Sequence, residues 1–303
     1  MIEKLIPLKD GKKVFIRYYN QLSNAETILY LHGGPGDNCE NFNYAAYLLS
    51  KNFNIVMLDQ RGVLRSDRVE ENEPLIVQML VDDCEYIREQ LNIEQWILIG
   101  HSYGGFLALL YAYQFSKSIK AVIYENPNWS SLESIKTLNR NTSNYLRNIN
   151  EYELAKEIDY KLSNCNNFET LAKLQMEIPW EYRKEVYYIK EWTDEIKRYC
   201  SLEDISSDQW ENSIIHSKRI IADKININNY IHYIKEISCG SLLIKGDHDP
   251  VISIDFQDYF VQNSLNGKLE IVEDCGHFIH TDQVKDFCNI VTNFINANEH
   301  NAC

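Results

Sequence analysis

The sequence predicts an α/β protein in which a mainly parallel sheet is flanked by helices and interrupted once by a helical insertion. In the first half, short apolar runs alternate with helical patterns, which is typical of parallel strands joined by helices. From 126 to 234 this alternation stops, and long helical patterns rich in Tyr, Trp, Asn and Glu take over. The alternation resumes at 241, so we interpret the middle segment as an insertion.

The individual elements follow from local apolar runs and helical spacing. Strands are expected at 14–19, 27–31, 54–58, 96–99, 120–124, 241–244 and 269–272, with helices at 75–92, 106–115 and 281–297. The first strand is expected to pair with a neighbour before the parallel part begins. We therefore place the core at 1–126 and 236–303 and a helical cap at 127–235. Open α/β sheets bind ligands beyond the carboxyl ends of their strands, where such a cap would lie.

Composition excludes several classes of protein. The chain has 303 residues, of which 45% are hydrophobic and 24% charged, as in ordinary globular proteins. Its net charge is −14, and the sequence shows no cluster of basic residues of the kind that binds a nucleic acid. Eight cysteines without a Cys-x-x-Cys pair predict reduced thiols in a cytoplasmic protein. We find neither a signal-type leader nor an apolar run of about 18 residues, so no membrane span is expected.

The segment Gly-His-Ser-Tyr-Gly at 100–104 is the strongest chemical signal. It lies between an expected strand and an expected helix, which is the setting of a Gly-x-Ser-x-Gly nucleophile elbow. Such a turn lifts the serine oxygen into a cleft, so Ser102 is the expected nucleophile. The backbone N–H of Tyr103, at the start of the helix, is expected to stabilise a developing oxyanion.

A second glycine-rich segment, His-Gly-Gly-Pro-Gly at 32–36, directly follows the strand at 27–31. A Gly-Gly turn beside a nucleophile can offer a backbone N–H as second oxyanion donor, and we assign that donor to Gly34. We interpret His32 as a structural residue that holds the loop.

A serine nucleophile needs a base, and the base needs an orienting acid, in the chain order Ser, acid, His for elbow hydrolases. Lys-Gly-Asp-His-Asp-Pro at 245–250 and Glu-Asp-Cys-Gly-His at 273–277 each follow an expected strand. Asp249 and His277 are the residues we favour as acid and base.

Other residues remain open for these roles. Asp247 and Glu125 also follow strands and are alternative acids. His280 is expected at a helix start or on the surface, and the side chain of His101 is expected beneath the elbow. No convincing metal cluster and no dinucleotide or nucleoside triphosphate loop is found in the sequence, so we expect no metal and no cofactor.

Together with Asp-Gln-Arg-Gly at 59–62, these motifs resemble the α/β-hydrolase superfamily and, within it, the proline iminopeptidase branch of serine aminopeptidases. The resemblance covers about 10–125 and 236–297 and implies an aminopeptidase. Two departures concern substrate choice. Leu64 stands where the branch has a second glycine, although Ser66 is retained, and the elbow serine has His and Tyr beside it where the branch often has Gly and Trp.

In these peptidases, glutamates of the cap bind the free α-amine of the substrate. The resemblance makes Glu177 and Glu181, in Met-Glu-Ile-Pro-Trp-Glu at 176–181, the candidates for this role. The alternative is that both are solvated helix glutamates.

The sequence therefore predicts a serine hydrolase that cleaves an amide or ester of a small molecule or short peptide through an acyl-enzyme. A proline iminopeptidase-like aminopeptidase is the first choice. A carboxylesterase, a lactonase or a tailoring hydrolase of a small metabolite is the alternative, and a non-catalytic ligand receptor on the same fold is a third hypothesis. The sequence does not decide the oligomeric state.

Overall fold

The computed structural model describes residues 1–19, 22–70, 72–223, 225 and 228–299. Eight strands form one sheet: β1 (Ile2–Pro7), β2 (Lys13–Tyr19), β3 (Thr27–Leu31), β4 (Asn54–Leu58), β5 (Trp96–His101), β6 (Ile119–Glu125), β7 (Gly240–Gly246) and β8 (Gly267–Val272). Their order across the sheet is β1-β2-β4-β3-β5-β6-β7-β8. β1 pairs with β2, and β2 with β4, in antiparallel fashion, whereas all other neighbours are parallel. This confirms the predicted fold class.

Twelve helices accompany the sheet in the part of the chain that the structure describes. They are α1 (Asn43–Leu49), α2 (Val77–Gln90), α3 (Tyr103–Gln114), α4 (Ser131–Asn148), α5 (Tyr152–Asn164), α6 (Phe168–Glu177), α7 (Trp180–Tyr187), α8 (Asp194–Tyr199), α9 (Ser207–Ile221), α10 (Ile254–Asn263), α11 (Ile279–Asp282) and α12 (Val284–Glu299). Among the described residues, none of these helices combines the length and apolar character needed to cross a bilayer.

The core lies in two layers, one on each face of the sheet. Successive side chains of a strand point to opposite faces. Leu29 and Leu31 of β3 accordingly pack in the cluster that contains α2 and α3, and Ile28 and Tyr30 pack in the cluster that contains α1 and α12. Every residue of β3, β4 and β5 is buried. Because both faces of these strands are covered, they read as continuous apolar runs rather than as alternating patterns.

Three elements were not expected from the sequence: β1, α1 and α10. β1 carries only one buried residue, Ile6, so it has no apolar pattern to reveal it. It exists because its backbone pairs with β2 in a regular antiparallel register. The helix after the elbow was expected to begin at 106, because the glycines at 104 and 105 suggested a longer turn. In the structure it begins at Tyr103.

The helices α4–α9 lie between β6 and β7, in the segment expected to be inserted. Several of them share a small core of their own, formed by Leu146, Ala155, Ile158, Leu171, Leu174 and Ile178. Within the described residues of this segment there is no strand. The domain boundaries and the function of the insertion as a cap stay predictions.

Helix α9 connects the insertion to the loops that follow β3 and β4. The backbone N–H of Leu64 donates to Ser213 Oγ (3.2 Å), and His216 Nδ1 lies 2.7 Å from the carbonyl oxygen of Arg61. A Cβ added to Gly36, which has φ +87°, would lie 2.6 Å from the carbonyl oxygen of Ser213. Only glycine therefore allows the loop and α9 to approach so closely.

Buried histidines are expected to make the protein sensitive to acid. Burial lowers the pKa of His216 to about 3, and it also lowers the pKa values of His32 and His101. A histidine whose pKa is lowered by folding binds fewer protons in the native than in the unfolded state, so its contribution to stability is lost as the pH falls below about 6.5.

We expect His216→Gln, which keeps a donor for the carbonyl group of Arg61, to reduce the loss of unfolding free energy between pH 7 and pH 5 by about 2 kcal/mol. Urea unfolding at both pH values measures this difference. His248→Gln is the control, because the His248 side chain is 63% exposed. The prediction would be contradicted if the unfolding free energy of His216→Gln fell by as much between pH 7 and pH 5 as that of the unmodified protein.

Candidate active site

Ser102 lies in a strained turn between β5 and α3. Its backbone has φ 52° and ψ −118°, a conformation that L-residues rarely adopt. The turn is held by hydrogen bonds from the Ser102 N–H to the carbonyl oxygen of Glu125 (3.0 Å) and from the Asn128 N–H to the carbonyl oxygen of Ser102 (2.9 Å). A Cβ at Gly104 would collide with the carbonyl oxygen of Leu31. The glycine after the serine is thus needed for α3 to pack against β3.

The loop after β3 is held in place by His32. The side chain is buried, and its Nε2 accepts a hydrogen bond from the backbone N–H of Gln60 (3.0 Å). Its Nδ1 therefore carries the proton and faces the carbonyl oxygen of Gly33 at 3.0 Å. Burial lowers the pKa of His32, which favours this neutral form. The arrangement is that of a structural histidine.

Gly34 and Tyr103 line the same cavity as Ser102. Gly34 has φ +107°, and a Cβ there would lie 2.6 Å from the backbone nitrogens of Gly36 and Asp37. Tyr103 is the first residue of α3, so its N–H lies at the positive end of the helix dipole. The structure brings together the two residues expected to supply oxyanion donors.

Asp249 and His277 are in direct contact. Asp249 Oδ1 lies 2.5 Å from His277 Nδ1, and both side chains are buried. Asp249 Oδ2 accepts hydrogen bonds from the N–H groups of Val251 (3.1 Å) and Ile252 (2.7 Å). The backbone N–H of His277 donates to the carbonyl oxygen of Tyr187, the last residue of α7 (2.9 Å). His277 lines a cavity together with Ser102.

The alternative acid Asp247 has a different set of partners. Its carboxylate accepts hydrogen bonds from the N–H groups of Asp274 and Cys275, each at 3.0 Å, and so holds the loop that carries His277. Asp249, by contrast, contacts the imidazole of His277 directly. The geometry therefore favours Asp249 as the acid.

The other alternative, Glu125, pairs with His280. Both oxygens of Glu125 lie 2.8 Å from His280 Nδ1, and the backbone N–H of His280 also donates to Glu125 (2.9 Å). Both side chains are completely buried. His280 was expected at a helix start or on the surface, and it lies in the first turn of α11 with its side chain buried. The sequence analysis did not predict this pair. The position of Glu125 at the end of β6 was the feature that could have indicated it.

His101, Glu125 and His280 form a buried cluster whose donor atoms lie within 4.8 Å of one another. His101 Nε2 is 3.1 Å from the carbonyl oxygen of His277 and must carry its proton there. Nδ1 of His280 already binds Glu125. Besides Glu125, the lone pairs left for an ion are those of His101 Nδ1 and His280 Nε2, and three ligands are fewer than the four that a structural metal site requires. We assign no metal to this cluster.

Two cavities meet at Ser102. One has a volume of about 260 Å³ and is lined mainly by apolar, hydroxyl and amide side chains of α4, α6 and α9. The second, of about 240 Å³, is bordered by His277 and by the aromatic rings of Trp180, Tyr187, Tyr188 and Phe278. Gly34, Ser102 and Tyr187 border both of them. Ser102 therefore lies where two spaces adjoin, each large enough for one half of a small molecule.

Comparison with known proteins agrees with this geometry. A family model described as the alpha/beta hydrolase fold matches residues 26–155. The chain has the α/β-hydrolase fold. It is 22% identical to a proline iminopeptidase of Heyndrickxia coagulans over 95% of this chain and 96% of that protein. It is 25% identical to a proline iminopeptidase of Flavobacterium johnsoniae over 96% and 97%. The crystal structure of proline iminopeptidase from Mycobacterium smegmatis superposes with a TM-score of 0.74 at 16% identity and 100% coverage of both chains.

One departure of this hydrolase from the related motif is visible in its backbone. Leu64, which stands in place of a glycine, has φ 35°, the left-handed conformation that glycine favours. This conformation costs a leucine about 1–2 kcal/mol. Ser66 Oγ donates to the carbonyl oxygen of Asp59 (2.6 Å) and accepts from the N–H of Phe15 (2.9 Å), so the retained serine connects the loop to β2.

The structure does not bring Glu177 and Glu181 to the nucleophile. Both lie on the exposed surface of the hydrolase, and Glu177, 61% exposed, lies 3.9 Å from Lys173 one helical turn away. Neither lines a cavity at Ser102, whereas their neighbours Met176 and Trp180 do. The expectation that these glutamates bind substrate is thus corrected: the cavities at Ser102 are bordered by the adjacent residues, and these two carboxylates lie in solvent.

The pair of Glu125 and His280 should be important for stability. Glu125→Ala leaves a buried imidazole without its partner, and we expect a loss of about 3–5 kcal/mol in the free energy of unfolding. Chemical denaturation measures the loss. Glu153→Ala is the control, since Glu153 is 89% exposed and its pair with Lys156 lies in solvent. Equal midpoints for the two variants would show that the buried pair contributes nothing to stability.

Proposed function

We propose that the hydrolase is a serine peptidase in which Ser102 attacks the carbonyl carbon of the substrate and His277 accepts the proton of the serine. Asp249 holds His277 in the tautomer whose Nε2 is free to act as base, and it stabilises the imidazolium that forms. The observation that carries the proposal is the contact of Asp249 with His277 at a cavity that also contains Ser102.

The oxyanion of the tetrahedral intermediate is bound by the N–H groups of Gly34 and Tyr103. Fixed donors of this kind act where charge develops and do not need to reorganise during the reaction. His277 then gives its proton to the leaving group, and a water activated by His277 hydrolyses the acyl-enzyme.

The substrate we propose is a short peptide from which one N-terminal residue is released. Similarity to proline iminopeptidases over nearly the full length supports this substrate class. We propose further that α4–α9 act as a cap over Ser102. In support, Tyr187 of α7 borders both cavities, and its carbonyl oxygen accepts the N–H of His277. The described cysteines carry free thiols, in agreement with a cytoplasmic location.

A paired assay tests the substrate class. One series uses fluorogenic amides of free amino acids, led by the prolyl amide, and the other uses short-chain nitrophenyl esters. We expect amide turnover that is lost when the α-amine is acetylated. Turnover of esters alone would disprove the peptidase and favour the carboxylesterase or lactonase alternative.

A further inference from the structure

Asp37 is a carboxylate beside the nucleophile that has no cationic partner among the described residues. It directly follows the glycine-rich loop at 32–36 and borders the cavity that contains Ser102 and His277. Its oxygens accept hydrogen bonds from the amides of Asn41 (3.0 and 3.2 Å) and Asn38 (3.2 Å), which are neutral donors. Burial raises the pKa of Asp37, as expected for a charge that lacks a counter-ion.

The rest of this cavity has the character of an ammonium site. Its walls include the rings of Trp180, Tyr187, Tyr188 and Phe278, and the last two are stacked with centroids 4.5 Å apart. Aromatic faces attract cations, and a partly desolvated carboxylate gains most from an oppositely charged ligand. Among the described residues lining the cavity, Asp37 supplies the one carboxylate.

The second cavity contains the opposite charge. Arg183, from α7, is the one ionic residue among the described side chains that line it. Its guanidinium lies over the ring of Trp180, 5.4 Å from the centroid, and its buried Nε has no hydrogen-bond partner. In the described part of the chain it forms no ion pair with a carboxylate. A planar guanidinium with unused donors is suited to bind a carboxylate group.

We propose that the hydrolase selects small substrates that carry opposite charges on the two sides of the scissile bond, an ammonium at Asp37 and a carboxylate at Arg183. The two cavities join at Ser102, so a substrate whose halves occupy both presents its central carbonyl group to the nucleophile. A dipeptide with free termini is the simplest member of this class. This inference rests on the proposed function for the position of the ammonium, which belongs to the N-terminal residue.

Binding can be tested separately from cleavage by competition against hydrolysis of 4-nitrophenyl acetate, a neutral ester. The competitors are L-prolyl-L-alanine, its N-acetyl derivative and its C-terminal amide. We expect the free dipeptide to have an inhibition constant at least about tenfold lower than that of either blocked form, since each blocked form loses one charge-assisted pair. Cleavage of the dipeptide, followed by release of proline, tests the proposed function independently.

Two variants assign the charges. Asp37→Asn keeps an oxygen for the amide of Asn41. In this variant the free and N-acetyl peptides should have equal inhibition constants, whereas the free peptide should still bind more tightly than the C-terminal amide. In Arg183→Gln the free peptide and the C-terminal amide should have equal inhibition constants, whereas the free peptide should still bind more tightly than the N-acetyl peptide. Glu185→Gln and Lys184→Gln, exposed or half-buried neighbours that line neither cavity, are the controls and should keep both preferences.

Equal inhibition by all three peptides in the unmodified protein would overturn the inference, even if the dipeptide is cleaved. So would unchanged preferences in Asp37→Asn and Arg183→Gln. Strong, charge-dependent inhibition without release of proline would instead support the two charged subsites and disprove the aminopeptidase.

Discussion

Ser102→Ala is expected to lower kcat on the best substrate by at least about 10⁴-fold while leaving the folded state intact. The variant lacks the oxygen that attacks the carbonyl carbon, and the residues of such a catalytic unit lose nearly all activity together when one is removed. The oxyanion donors at Gly34 and Tyr103 remain, so a small residual rate above that of the uncatalysed reaction is expected. Steady-state kinetics and a thermal unfolding curve of the variant measure both parts of the prediction.

Ser163→Ala is a matched control, because Ser163 is an exposed residue of α5 whose hydroxyl binds only the carbonyl oxygen of Asp159. A fluorophosphonate probe should label the unmodified protein at Ser102 and fail to label Ser102→Ala. Retention of more than a tenth of the activity in Ser102→Ala would refute the mechanism. An inert Ser102 in the unmodified protein would favour the receptor hypothesis.

Asp249→Asn is expected to lower kcat by about 10³–10⁴-fold, because the asparagine would hold His277 in the tautomer that carries its proton on Nε2. Oδ2 of Asp249 faces two backbone N–H donors, from Val251 and Ile252, so the carbonyl oxygen of an asparagine would take that place. The amide NH₂ group would then face His277 Nδ1 and require it to accept. The proton of the imidazole would move to Nε2, which could no longer accept the proton of Ser102.

The matched control is Asp247→Asn, which changes a neighbouring carboxylate that accepts hydrogen bonds from the backbone N–H groups of Asp274 and Cys275. We expect this variant to keep kcat within about tenfold, because one amide oxygen still accepts from the loop. A larger loss in Asp247→Asn than in Asp249→Asn would reverse the assignment of the acid.

Strands that are buried on both faces could be predicted from the sequence almost to the residue. The expected bounds at 27–31 and 54–58 coincide with β3 and β4, because a continuous apolar run in a parallel sheet has no other interpretation at that length. β1 and α10 were missed for the opposite reason. Their residues are largely exposed, so long-range pairing and packing, which leave little trace in local sequence, decide their conformation.

The same distinction between local and long-range determinants applies to the residues of the candidate site. Ser102, Asp249 and His277 belong to motifs with strict local geometry, so their positions at turns after β5, β7 and β8 could be inferred from spacing alone. Glu177 was chosen by resemblance, and helical rotation places it in solvent instead. Nothing in the local pattern distinguishes a residue that faces the cavity from its neighbour one position away.

Fold class, nucleophile and the glycine turns around it are consequences of short-range chemistry: backbone conformations that few residues tolerate, and apolar runs of a given length. The contact of Asp249 with His277, the pairing of Glu125 with His280 and the positions of Asp37 and Arg183 in two cavities that share Ser102 depend on residues far apart in the chain. Such contacts arise only when the sheet places the ends of separate strands at one edge and α7 packs beside them. Tertiary packing therefore decides which side chains line the cavities at Ser102, whereas the glycine-serine turn itself can be recognised in the sequence.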